Sequence, residues 1–439
     1  MDETGRTKLL AVTGNPILYS RSPLLFHALF ERFALDAAYF RLAAGSAPEA
    51  LRSFRELGLA GMNVTFPFKT EMAALMDSLD EAAMRIGGVN TVVKNGSKLK
   101  GYNTDHIGVS GSLRRRGIGV DGRKCVVLGA GGAGRAAVFG LVRENATVTL
   151  VNRSHQKAAE VASSLGCRAA PWSALPALLW DAAILVSALP PGIDVVKREW
   201  LPEGIVLMDA NYVQSPLAEI ARGSGHPYIG GEEWLLHQAI PAFNLFGGAC
   251  PESEPLPDIF RSQRPPVIQK GNVSLIGFMG SGKSTIGRKL ADALGFSYCD
   301  TDDLIERQAG RSVGEIFRIE GEESFRVREK AILADLRNRR NTVFTCGGGA
   351  VVDIQNQKNL RENSLVIWLH SAIETCLKRI ETGSRPLLHE GKRDTEAWEL
   401  FEKRRGIYAR TADLVIRNEK SVDEAVRKIN EEIDRTIHH

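Results

Sequence analysis

Val273-Ser274-Leu275-Ile276-Gly277-Phe278-Met279-Gly280-Ser281-Gly282-Lys283-Ser284 decides how the last part of this chain folds. The first four residues read as a buried strand, a glycine-rich loop follows over 277–284, and apolar residues at helical spacing run on through 286–294. Strand, loop and helix in that order make a phosphate cradle. The glycines let the backbone wrap an anion, the helix start aims N–H groups at it, Lys283 reaches the terminal phosphates, and the Ser284 hydroxyl can ligate Mg²⁺. Gly280, Ser281, Gly282, Lys283, Ser284 and Thr285 form the expected nucleotide-binding set. A P-loop alone does not separate kinases from GTPases or motor ATPases, so the phosphoryl acceptor has to be read from residues further along.

Asp300 and Asp302 come next, after the run 296–299. Two-residue spacing on extended chain sends both carboxylates to one face, one to assist the metal and one to meet a substrate hydroxyl. Arg326 and Glu329 lie three apart on a predicted helix and can face one cleft. Gly347-Gly348-Gly349 closes a strand and permits close approach of backbone to a ligand. Arg385-Pro386-Leu387 sits in a polar stretch suited to a lid, and Arg404 to Tyr408 supplies another helical cationic site. In this order the pieces resemble shikimate kinase, a P-loop enzyme of the nucleoside-monophosphate-kinase type, across residues 272–437. The resemblance implies that Arg326 and Arg404 grip the shikimate carboxylate, Gly348 its ring hydroxyls and Asp302 the attacking hydroxyl. It also implies that Asp300 and Ser284 hold Mg²⁺, Lys283 serves ATP catalytically, and Arg385 closes over the phosphates. Two arginines suit a planar carboxylate.

In the first half, the strand around 125–128 runs into Gly129-Ala130-Gly131-Gly132-Ala133-Gly134 and then an apolar helix, the dinucleotide fingerprint in its proper setting. At the end of the next strand, where NAD sites usually place an acidic residue, the chain reads Asn152-Arg153-Ser154, with Lys157 beyond. Cation and hydrogen-bond donors there favour the 2′-phosphate of NADP. Upstream, short polar loops carry Ser20-Arg21-Ser22, Asn63-Val64-Thr65, Lys69, Val89-Asn90-Thr91 and Asn103-Thr104-Asp105. Any one of these residues alone would be a turn former, but together they supply partners for a polyhydroxylated ligand.

This order resembles shikimate dehydrogenase over about residues 7–249, with the nucleotide lobe inserted between two parts of the substrate lobe. The resemblance implies that Ser20, Ser22, Asn63, Thr65, Asn90, Tyr212 and Gln238 bind shikimate and that Lys69 and Asp105 form the catalytic pair. Tyr19 stands where that family often has His, Ser154 where it often has Thr, and Ser187-Ala188-Leu189-Pro190 where it often has Asn-Ala-Thr-Pro.

The expected organisation is α/β throughout: a dehydrogenase substrate lobe over 1–107, a Rossmann NADP lobe over 108–228, closing helices over 229–249, a proline-interrupted linker over 250–271, and a P-loop kinase with a parallel sheet over 272–439. Apolar residues make up 44% and charged residues 25%, an ordinary globular balance. The most apolar neighbourhood, 175–190, is broken by Pro176 and Asp181, short of the roughly 20 apolar residues a membrane span needs. Six cysteines without a Cys-x-x-Cys pair argue against a disulfide framework or zinc site. Residues 1–10 lack an apolar signal core, so a cytoplasmic protein is expected. A net charge of +4 and a pI near 8.7, without a basic stripe, suit small anionic ligands rather than nucleic acid. The expected partners are the small-molecule substrates, with NADP, ATP and Mg²⁺ as cofactors. Two rival readings are a quinate/shikimate dehydrogenase with relaxed specificity fused to the kinase, and a shikimate sensor built from retired enzyme domains.

Overall fold

The computed structural model describes residues 7–212, 215–251, 271–380 and 393–437. Most of the expected linker, and the expected lid with Arg385, lie outside the described residues. The chain forms two compact units. The first takes residues 7–23, 36–60 and everything described from 271 onward, and the second takes 24–35 and 61–251.

Strands are numbered along the chain. β1 (Lys8–Gly14) and β2 (Ala37–Ala43) belong to the first unit. The second unit holds β3 (Gly61–Val64), β4 (Ser78–Leu79), β5 (Thr91–Asn95), β6 (Lys98–Tyr102), β7 (Lys124–Leu128), β8 (Thr147–Val151), β9 (Arg168–Ala170), β10 (Ile184–Ser187), β11 (Val206–Asp209) and β12 (Tyr228–Ile229). The first unit resumes with β13 (Asn272–Ile276), β14 (Ser297–Asp300), β15 (Thr342–Thr345), β16 (Leu365–His370) and β17 (Leu414–Arg417).

In the second unit, β7 to β12 form a six-stranded parallel sheet in the order β12-β11-β10-β7-β8-β9. The order reverses beside β7, and the glycine loop leaves the carboxyl end of that strand, where doubly wound sheets bind ligands. β7, β10 and β11 are almost wholly buried apolar runs, as strands covered by helices on both faces must be. A smaller mixed set, β3-β5-β6-β4, carries Asn63 on β3 itself rather than on a loop, with Lys69 on the helix that follows β3 and Asn90 just ahead of β5.

In the first unit, β14-β15-β13-β16-β17 place the P-loop strand β13 at the centre of a parallel sheet, the arrangement expected of this kinase type. The sheet does not end at β17. β2 pairs with it in parallel, Leu414 opposite Arg41 and Ile416 opposite Ala43, and β1 follows β2. Strand pairing thus joins the opening of the chain to its last strand.

Ion pairs flank this joint. Arg417 donates to Glu56 at 2.6 and 2.9 Å, His370 Nε2 stands 3.5 Å from the same carboxylate, and Lys428 pairs with the buried Glu49. Burial pushes the Glu56 carboxyl up, but the contacts with His370 and Arg417 outweigh it and bring it down to about 2. A depressed acid stabilises the fold above its unfolded value of 4.5 and loses that contribution as pH falls through about 2. The urea midpoint of wild type should therefore exceed that of Glu56→Gln at neutral pH, with the gap closing below pH 4.5. A gap that stays constant down to pH 3 would sink this account of the joint.

Candidate active sites

Lys69 opens the helix Lys69–Ala73, and Asp105 opens the helix Asp105–Arg115, where first-turn N–H groups favour an anion. Lys69 Nζ donates to Asp105 Oδ2 at 2.5 Å, and the two side chains are only 15% and 10% exposed. The other oxygen of Asp105 accepts from Asn90 Nδ2 at 2.9 Å. Asn90 reaches Thr104 Oγ1 and Gln238 Oε1 as well, at 2.9 and 3.1 Å, while its own oxygen accepts from Thr104 N–H at 2.8 Å. Asn63 joins through Thr91 Oγ1 at 3.0 Å. Lys69, Asp105, Asn90, Asn63 and Gln238 are thereby brought into one polar cluster. Thr65 lies in the turn after β3, and Tyr212 three residues beyond β11, both half-buried. Ser20 and Ser22 belong to the first unit, where Ser20 Oγ donates to Ser22 Oγ at 3.3 Å.

Reading the sequence placed Thr104 among the polar loops without giving it a role, though it bonds both Asn90 and Gln238, and missed Trp234, whose indole N–H holds the Asp105 carbonyl at 3.0 Å. Thr104 had a signal in its adjacency to Asp105. Trp234 had none, since a buried tryptophan on an apolar helix face reads as core.

The dinucleotide loop fits its ligand class. A Cβ on Gly129, whose φ is +99°, would stand 2.8 Å from the Ala188 carbonyl oxygen, and one on Gly134 would stand 1.8 Å from that of Gly129. No larger residue allows this turn. Ala130 N–H donates to Asn152 Oδ1 at 3.2 Å, and Ser154 caps the helix His155–Leu165, leaving Arg153 and Lys157 exposed beside it. Gly131 and Ala133 sit at the start of the helix Gly132–Arg143. A Cβ on Gly132 would meet Lys69 Cδ at 3.0 Å, so the stem of the lysine lies directly against the loop.

In the first unit, the cradle ends on the helix Lys283–Leu294, with Gly282 at φ +89° as its cap. A Cβ on Gly277 or Gly280 would collide with the carbonyl oxygens of Leu369 or Cys376, at 2.5 and 2.3 Å. Lys283 Nζ donates to the carbonyls of Gly277 and Phe278 at 3.0 and 2.9 Å, and Asn418 donates to the Ser281 carbonyl at 2.7 Å. Ser284 Oγ donates to Asp300 Oδ2 at 3.0 Å, and Thr345 holds the same oxygen at 2.8 Å. A hydroxyl and a carboxylate beside a phosphate cradle are the hard oxygen donors Mg²⁺ takes.

Asp302 departs from the extended-chain expectation. β14 stops at Asp300, whose carboxylate caps the helix Thr301–Ala309 by accepting from Asp302 N–H at 3.0 Å. Asp302 therefore projects from a helix, and capping rather than strand alternation sets its direction. Arg326 donates to Glu329 at 2.8 Å on the helix Gly321–Ala334, and burial pushes the Glu329 carboxyl up against that pairing. Two of the three glycines lie on this cluster: a Cβ on Gly347 would stand 2.9 Å from Asp302 Oδ1, and one on Gly349 2.6 Å from the Arg326 guanidinium. Tyr408 donates to the Gly348 carbonyl at 2.5 Å, and Arg404 is buried on the same helix, Arg393–Thr411.

Fold and geometry define two nucleotide-using α/β enzymes in one chain, a dinucleotide-dependent oxidoreductase and a P-loop phosphotransferase. The family model described as shikimate dehydrogenase substrate binding domain matches residues 12–92, shikimate / quinate 5-dehydrogenase matches 113–209, and shikimate kinase matches 279–434. The shikimate dehydrogenase (NADP(+)) of Halobacterium salinarum is 38% identical over 244 residues, 54% of this chain and 91% of that protein. The crystal structure of shikimate dehydrogenase from Aquifex aeolicus shares 32% identity at a TM-score of 0.53, covering 58% of this chain and 97% of its own. The Thermus thermophilus enzyme in complex with NADP(H) and shikimate shares 31% identity at 0.52, covering 56% and 95%. The chain belongs to the shikimate dehydrogenase family and carries a shikimate kinase domain behind it. It is a bifunctional enzyme of the shikimate pathway.

Proposed function

We propose that the first half reduces 3-dehydroshikimate to shikimate and that the second phosphorylates the 3-hydroxyl of that product, with the roles that follow. When bound, NADPH supplies the hydride, and ATP with Mg²⁺ supplies the phosphoryl group. One observation carries the dehydrogenase assignment: the stem of Lys69 packs on Gly132 of the dinucleotide loop while Asp105 holds its ammonium. A proton donor thus stands beside the cradle of the hydride donor. Lys69 gives its proton to the carbonyl oxygen as that oxygen becomes a hydroxyl, and Asp105, anchored by Asn90, keeps Nζ in line. Ser20, Ser22, Asn63, Thr65, Asn90, Tyr212 and Gln238 hold the substrate, as the family resemblance implies. Gly129 to Ala133 seat the pyrophosphate of NADP, and Asn152, Arg153, Ser154 and Lys157 seat its 2′-phosphate.

In the kinase, Arg326 and Arg404 bind the carboxylate, the Gly348 backbone meets the ring hydroxyls, and Asp302 orients the attacking hydroxyl. Residues 280–285 hold the phosphates, Lys283 neutralises charge on them, and Ser284 and Asp300 hold Mg²⁺. The proposed domain limits are 1–107, 108–228 and 229–249 for the dehydrogenase, 250–271 for the linker and 272–439 for the kinase. Small-molecule partners and a cytoplasmic location go with this reading. Among the described residues, no helix is long and apolar enough to cross a membrane.

Purified protein given shikimate should reduce NADP⁺ and, with ATP, release ADP. NAD⁺ in place of NADP⁺ should lower kcat/KM by roughly tenfold or more, the discrimination expected where a site's polar groups lose their partner, and quinate should be used less well than shikimate because its added hydroxyl and saturated ring change the shape the site must fit. Equal use of quinate and shikimate would favour the relaxed enzyme. Binding of shikimate with neither turnover would favour the sensor.

A further inference from the structure

The loop between β1 and the helix Ser22–Arg32 carries two of the proposed shikimate ligands, Ser20 and Ser22, yet the groups that hold it come from the other end of the chain. Ile17 N–H donates to Glu432 Oε2 at 2.8 Å and Oε1 at 3.1 Å, and Leu18 N–H donates to Oε2 at 2.8 Å. Ile17 and Leu18 are 0% and 1% exposed and Glu432 4%, so water does not serve these donors. Buried backbone N–H groups need an acceptor, and a carboxylate is a stronger one than a neutral oxygen. Glu432 stands on the helix Val422–Ile437, whose Ala425, Ile429 and Ile433 are buried at helical spacing, 415 residues from Ile17 in sequence. Arg41 of β2 completes the hold. Its Nε and Nη2 donate to the Ser20 carbonyl at 2.9 and 2.6 Å, while Nη1 donates to the carbonyl of Asp413, next to β17, at 3.2 Å. Arg435 reaches Asn15 Oδ1 at 3.2 Å.

We propose that the kinase segment is part of the dehydrogenase's substrate-binding apparatus, with Glu432 a positioning residue that sets the 15–22 loop through the Ile17 and Leu18 amides. This rests on the reading of Ser20 and Ser22 as shikimate ligands. The consequence is directional. Loss of Glu432 loosens substrate binding by the dehydrogenase, while the hydride and proton transfers, carried by residues of the second unit, keep their rate once substrate is bound.

The test uses the full chain and measures both activities. Glu432→Ala should raise the dehydrogenase KM for shikimate roughly tenfold, the factor expected when a charge-assisted hold is lost. The kcat, the KM for NADP⁺ and both kinase constants should stay within about twofold, since no group that serves them is touched. Glu432→Gln, which keeps a carbonyl acceptor without the charge, should raise the same KM only about threefold. If Glu432→Ala does not fold, as loss of both activities would reveal, the glutamine variant carries the test alone. An unchanged shikimate KM overturns the proposal even if the melting temperature falls, because a mere brace changes stability and not KM. Ser22→Ala is the reference. If it raises the shikimate KM and the Glu432 variants do not, the positioning role is wrong and the ligand reading stands. If Ser22→Ala and Ser20→Ala both leave KM unchanged, the ligand reading fails and takes the proposal with it.

Discussion

Lys69→Ala is expected to lower the dehydrogenase kcat by roughly 10²- to 10⁴-fold, the range a positioned general acid contributes, with the shikimate KM changed only a few-fold. The separation of the two constants follows from the geometry. The ammonium of Lys69 is spoken for by Asp105 at 2.5 Å, while Asn63, Asn90 and Gln238 form the remainder of the polar cluster and survive the substitution. An interaction used mainly in the transition state affects kcat, whereas one used equally in ground and transition states affects KM. The substitution is structurally mild. Lys69 is the first residue of its helix, and alanine is compatible with helix there. Asp105 keeps its bond from Asn90 and the support of its own helix start. Kinase turnover should be untouched. Equal losses in kcat/KM and in substrate affinity, with kcat preserved, would remove Lys69 from proton transfer and make it a binding residue.

Lys283→Ala should cost the kinase roughly 10²- to 10³-fold in kcat, comparable to losing one preorganised donor at a site of developing charge. Phosphoryl transfer asks the protein for position and charge neutralisation, and Lys283 is the cation of the cradle, held by the Gly277 and Phe278 carbonyls at 3.0 and 2.9 Å. The cradle keeps its shape without it. Around the loop, the Leu369 and Cys376 carbonyls leave no room for a side chain at Gly277 or Gly280, and Asn418 holds the Ser281 carbonyl at 2.7 Å without the lysine. ADP release with shikimate, measured against wild type, reads the loss directly. The dehydrogenase should retain its kcat and its shikimate KM, because the β17–β2 pairing and the Glu432 bonds to Ile17 and Leu18 are left intact. Turnover within a few-fold of wild type would show that Lys283 is not part of the phosphate site.

Both glycine motifs were legible because their physics is local. A strand, a turn that admits no Cβ and a helix start are consecutive in sequence, and the positions that forbid a side chain, Gly129, Gly134, Gly277 and Gly280, all fall inside the two motifs. Arg326 and Glu329 were legible for the same reason, as one helical turn brings them together. Asp302 was placed on the wrong kind of backbone because Asp300 can end a strand or cap a helix, and its bond to the Asp302 N–H decides which. The alternation of strands with helices was enough to announce α/β architecture and two nucleotide folds.

Other features have no sequence signal because they join residues far apart in the chain. Asn90 meets Gln238 across 148 positions, and Trp234 steadies Asp105 across 129. β17 has the same apolar run whether one strand or two lie beside it, so its second pairing, with β2, is written only in the tertiary structure. By itself, the sequence determined that this chain carries a dinucleotide loop and a P-loop, since glycine spacing and local order are properties of neighbours along the backbone, while the acid it handles was named by the family resemblance that its motifs carry together. Tertiary structure alone decided that Glu432 holds the loop of Ser20 and Ser22, because a buried N–H takes whatever acceptor folding brings to it.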